Sequence, residues 1–146
     1  MTREQFIAES TVPCDNRDPE RSEAIFRRVR ERMRRLDDEH RFGILFPVSV
    51  KAQWDAPSCS AAQLLRELSP ACPLSCEDAV RALLPSWDVS LEELPFYLAA
   101  RFGPIRVREA VDRVEVLVES ESDKQSLKSV RYWLDVYERT FPENPS

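Results

Sequence analysis

Glycine occurs only as Gly43 and Gly103, and histidine only as His40, in a chain of 146 residues. Two isolated glycines cannot form either common phosphate-cradling loop, because both need several glycines at fixed spacing. Rossmann-type dinucleotide binding and P-loop nucleotide hydrolysis are therefore excluded. With one histidine there is no H-x-x-x-H or E-x-x-H pattern, and no G-x-S-x-G is present. No apolar run approaches the roughly 20 residues that span a bilayer. The opening "MTREQFIAES" carries no apolar signal core, so the expectation is a cytoplasmic protein with no membrane partner. An excess of positive charge is also missing. A net charge of −5 and a pI near 5.1 argue against a dedicated nucleic-acid binder. Lysine is scarce, at 3 residues against 18 arginines, which reads as compositional bias rather than chemistry.

Eleven prolines and 32% charged residues are what the chain has in quantity, and its apolar share of 42% is enough for one folded domain. Residues 1–18 read as a flexible N-terminal arm and 19–146 as a single globular domain. Asp18-Pro19-Glu20 is a strong helix start, an N-cap followed by proline at the first helical position and an acid in the first turn. Ile25, Val29, Met33 and Leu36 continue it to about residue 38. "FGILFPVSV", 42–50, is short, apolar and β-branched and reads as a strand, with Pro47 confining it to an edge or a bend. "KAQWDAPSC" reads as a loop.

Capping signals at Ser60-x-x-Gln63, Ser75-x-x-Asp78 and Ser90-x-x-Glu93 predict helices over about 60–69, 76–84 and 90–102. Gly103-Pro104 punctuates the last of these. "PIRVREAVDR" leans helical, and "RVEVLVESE" alternates Val114, Val116 and Val118 as a strand would. Ser122-x-x-Gln125 opens a final helix ended by Pro142. The expected fold is α+β: about five to six helices with a small two- or three-stranded sheet. An all-α fold is the alternative.

Three apolar residues fall off their helices' main stripes. Phe96 lies opposite Leu91, Leu94, Leu98 and Phe102, and Tyr132 and Val136 lie away from Leu127, Val130 and Leu134. Either both helices are packed on two sides, or these residues form an exposed aromatic patch of the kind found at interfaces. Arg28, Arg32 and Arg35, with Arg21, line an edge of the first helix that its glutamates leave free. Such an edge suits a charged rim, a phosphate or an acidic partner, or it pairs internally with the acidic segment 109–121. Cys14, Cys59, Cys72 and Cys76 include one admissible metal-ligand spacing, Cys72-x3-Cys76, without a second pair. His40 reads as a solvated residue at a helix C-terminus.

No catalytic residue, metal site or cofactor is assigned from these features. The reading they support is a non-enzymatic protein-interaction or regulatory accessory protein. It would bind a protein partner or a second copy of itself through Phe96, Tyr132 and Val136, with Arg28, Arg32 and Arg35 as rim. The alternatives are an Arg-mediated binder of phosphate or nucleic acid and a cysteine-ligated metal protein.

Overall fold

Apolar residues at helical spacing organise most of the regular elements. The computed structural model describes residues 1–11, 18–51, 56–84 and 86–142. Among them it has α1 (Arg3–Ser10), α2 (Pro19–Arg34), α3 (Asp38–Ser49), α4 (Ala56–Leu68), α5 (Cys76–Leu83), α6 (Glu93–Phe102), α7 (Pro104–Leu117) and α8 (Glu121–Thr140). No strand occurs among the described residues, so the expected α+β fold with a small sheet is corrected to an all-helical one. None of these helices is long and apolar enough to cross a membrane. Cys14 and positions 52–55 of the expected loop lie outside the described residues, and residues 56–59 of that expected loop belong to α4 instead.

Two groups of helices share one apolar core. In the first, α3 packs on α4, and α1 touches α2, α3 and α4; in the second, α5 packs on α7 while α6, α7 and α8 pack on one another. Contact between α4 and α6 joins the groups. Buried Phe6, Met33, Leu45, Leu64, Leu83, Leu98, Val111 and Leu134 belong to one continuous cluster that draws on all eight helices.

Both expected strands are helical, for different reasons. In α3 the residues Phe42, Ile44, Leu45, Phe46, Val48 and Ser49 are all buried. These buried positions spread over most of the circumference and leave no narrow 3.6-residue stripe, and a short apolar run then has no period that separates it from a strand. Pro47 sits within this helix. It cannot donate to the Gly43 carbonyl four residues back, and that oxygen instead accepts from Arg3 Nη2 of α1 at 3.1 Å. In α7 the helical stripe Val107, Ala110, Val111 and Val114 is buried and outweighs the three alternating valines, of which Val116 is 84% exposed.

The caps divide similarly. Asp18 and Ser75 accept from the backbone N–H groups of Arg21 and Asp78 at 3.0 and 3.2 Å, as the sequence predicts. Ser60 lies inside α4, which starts at Ala56, and Ser120 rather than Ser122 caps α8, accepting from Asp123 N–H at 3.3 Å. Ser90 caps nothing; its hydroxyl bonds Asp88 Oδ1 at 2.7 Å, and α6 starts later, at Glu93. That start puts Pro95 in the first turn, where a missing N–H forfeits no helical bond.

Within the segment expected to be an irregular arm, α1 is a helix with a complete capping box at Thr2 and Gln5, and Phe6 is fully buried. Phe6→Ala is expected to lower the unfolding free energy by about 3–5 kcal/mol, read as a shift in the urea midpoint with an unchanged slope. A loss under about 1 kcal/mol would show that α1 contributes little to the core.

Candidate interaction surface

The buried surface of α8 is fixed by aromatic packing. Phe96 of α6 is 9% exposed. Its ring meets those of Trp133, Tyr137 and Phe141 edge-on, with centroids 6.2, 5.4 and 6.1 Å away. Phe96 therefore supports α8 from beneath instead of lying on a free patch, and α6 is packed on two sides. Trp133 is tied further by its indole N–H, which donates to the Val89 carbonyl at 2.8 Å.

The flank of α8 is fixed by charge. Arg108 of α7 donates to Asp135 at 2.5 Å and Glu138 at 3.2 Å. In the opposite sense, Arg131 of α8 reaches back to Asp112 at 2.8 Å and to Glu115 of α7. Each arginine spans two carboxylates on the neighbouring helix, so the pairs resist rotation of α8 about its axis. The accepting carboxylates raise the pKa values of both guanidiniums, keeping them charged.

With core and flank assigned, the remaining face of α8 points outward. Tyr132 is 57% exposed and packs edge-on against Trp133 at a centroid distance of 5.0 Å. Val136 is half-buried, and the uncharged Gln125 and Ser129 lie on the same side, with Lys128 beside Tyr132 and Glu121 and Arg139 toward the two ends of the face. Val89, Gln125, Lys128, Ser129, Tyr132 and Trp133 line a shallow depression of about 340 Å³. Val89 and Trp133 were not among the expected contact residues. Nothing local signals Val89, which reaches the surface because residues 86–90 fold against α8.

The arginines of α2 divide into two sets. Arg27 pairs with Glu23, Arg30 with Glu67, Arg32 with Glu9 and Arg34 with Glu31. Arg21, Arg28 and Arg35 are exposed and have no carboxylate partner among the described residues. The acids at 112 and 115 face α8, so they do not serve this edge. Because α2 packs on α1 and α4 while α8 packs on α6 and α7, Arg28, Arg32 and Arg35 do not rim the Tyr132 face. They belong to a second surface.

Cys72 and Cys76 are held as protonated thiols. Burial pushes the Cys76 thiol up to about 11 and raises Cys72 as well, opposite to the depressed value of a reactive thiol. Cys76 donates weakly to the Arg106 carbonyl at 3.8 Å. Among the described residues no group of three or more His, Cys, Asp or Glu converges to hold a metal ion. His40 is in the first turn of α3, not at a helix C-terminus. Its backbone N–H donates to the N-cap Asp37 at 2.9 Å, which with the ring nitrogen at 2.6 Å holds that carboxyl below its ordinary pKa.

The folded Cys76 keeps its proton to a higher pH than the unfolded thiol, whose ordinary value is 9.0. Its contribution to stability is thus fully present below pH 9 and is lost as pH rises through about 11. Chemical denaturation across that window is expected to show the decline, with a shallower loss in Cys76→Ala. Identical slopes in the two proteins would contradict the assignment. No protein family matches this chain, nor does any curated protein or solved structure with which it was compared.

Proposed function

We propose that this protein is a non-enzymatic interaction protein, a regulatory or accessory subunit that engages another protein surface through the outer face of α8. The observation that carries the reading is the large exposure of Tyr132 on a rigid mount. Its neighbour Trp133 is packed on Phe96 and hydrogen-bonded to Val89, so the phenol ring is presented with little freedom to lose on binding. Val136 and the uncharged Gln125 and Ser129 extend the face. An exposed aromatic residue flanked by Val136, Gln125 and Ser129, with Lys128 beside it, has the aromatic centre and polar surround of an interface. A cytoplasmic setting, in which thiols stay reduced, suits Cys72 and Cys76.

Tyr132→Asp and Val136→Asp are expected to abolish association while leaving the far-ultraviolet circular dichroism and thermal midpoint within a few degrees of wild type. The readouts are sedimentation velocity for self-association and affinity capture for other partners. Unaltered association in both variants would remove the α8 face from consideration.

A second reading has its own observation. Arg21, Arg28 and Arg35 recur every seven residues, which puts three unpaired guanidiniums on one line about 10.5 Å apart. This suits a phosphate-bearing or otherwise acidic ligand. Binding of a fluorescent polyanion is expected to fall steeply between about 50 and 200 mM salt and to be lost in the triple Arg→Gln variant. Binding that ignores salt, or survives the triple substitution, rules this reading out.

A further inference from the structure

We propose that the outer face of α8 docks a second copy of the same helix, antiparallel about a two-fold axis near Val130. This inference rests on the reading of the Tyr132 face given above and names its occupant. At about 3.6 residues per turn, Glu121, Lys128, Tyr132 and Arg139 fall along one side of α8, within roughly 40° of one another. An antiparallel two-fold partner brings residues equidistant from the axis into opposition, because such an interface is isologous. Glu121 and Arg139 lie nine residues either side of Val130, about 13.5 Å each way. Each Glu121 therefore meets the other copy's Arg139, and the contact is made twice.

Both groups are free for this. The Glu121 side chain is 88% exposed, and its one ion-pair contact within the chain is a long one, 3.6 Å to Lys124. Arg139 donates only to the Asp135 backbone carbonyl, at 3.3 Å, and has no carboxylate partner among the described residues. Lys128 and Tyr132 are two residues either side of the same axis, so each ammonium comes beside the other copy's phenol ring, a cation–π arrangement. Gln125 and Val136 lie five and six residues from the axis and flank these contacts. Parallel pairing would set Glu121 against Glu121 and Arg139 against Arg139. Charge complementarity thus selects both the antiparallel direction and the register. A single helix face makes a small interface, and the dimer accordingly falls in the weak, concentration-dependent class.

Charge exchange tests this on the full chain, because all the altered side chains are exposed. Sedimentation velocity from about 10 μM to 1 mM is expected to show a monomer–dimer equilibrium for wild type. Glu121→Arg and Arg139→Glu each create like-charge contacts at both ends and should weaken dimerisation about tenfold. The double variant carrying both substitutions restores the pairs in exchanged order and should recover near-wild-type association. A wild type that stays monomeric to 1 mM overturns the second copy as occupant, and Tyr132→Asp tested by capture of other partners then decides separately whether the face binds anything. A dimer indifferent to either single exchange, or one lost in both and not recovered in the double variant, overturns the antiparallel register. A dimer that persists in Tyr132→Asp overturns the reading of the face itself.

Discussion

Six consecutive buried residues, Leu94 through Ala99, leave the middle of α6 without a solvent face, and the packing of both halves is set by how that helix is enclosed. Helix α4 closes one side of it, while α7 and α8 close others. The run contains one polar side-chain group, the Tyr97 hydroxyl, which would cost roughly 1–3 kcal/mol if buried without a partner. It donates to the Pro70 carbonyl at 2.7 Å, and burial raises its pKa well above the ordinary value for tyrosine. Because Pro70 lies in the connection after α4, the same bond positions that connection. Arg101, at the end of α6, donates to the neighbouring Ser69 carbonyl at 3.4 Å, where the chain leaves α4 through a positive φ of 44°.

Proline shapes the helices at two places, and a side chain answers it each time. Pro47 inside α3 leaves the Gly43 carbonyl to Arg3, which links the N-terminal helix to the core. Pro95 stands in the first turn of α6, and the Leu91 carbonyl four residues earlier accepts from the Trp87 indole N–H at 3.2 Å. That second bond stiffens residues 87–91. The same segment supplies the Val89 carbonyl to Trp133, so the mounting of the Tyr132 face begins in the turn that accommodates a proline.

Charge is distributed with similar consequence. In the second half, Arg108 and Arg131 each bridge two acids of the neighbouring helix. Among the described residues Arg21, Arg28 and Arg35 have no carboxylate partner on one surface, and on another Arg139 has none while Glu121 has only its long contact to Lys124. Exposed pairs of this kind contribute little to folding. Their weight falls on recognition, where they favour one direction and register over the alternatives.

Helix ends were the most legible feature, since a cap is a contact between residues three apart. Asp18 and Ser75 cap as read, and Gly103-Pro104 separates α6 from α7. Serines at 60, 90 and 122 show the limit of that signal, because several nearby oxygens compete and neighbouring helices settle which turn forms first. The stripe Leu127, Val130 and Leu134 was equally plain. The helices over 38–49 and 114–117 were not, because in one case burial around most of the helix blurs the period and in the other a short alternation masks a longer stripe. The aromatic pattern marked Phe96 and Tyr132 alike as residues off the main stripe. Sequence alone determined that each faces away from its own helix's core side, since that follows from the helical period. Only the tertiary structure decided that α8 covers Phe96 while Tyr132 stays largely exposed among the described residues, because burial depends on surfaces brought from distant parts of the chain.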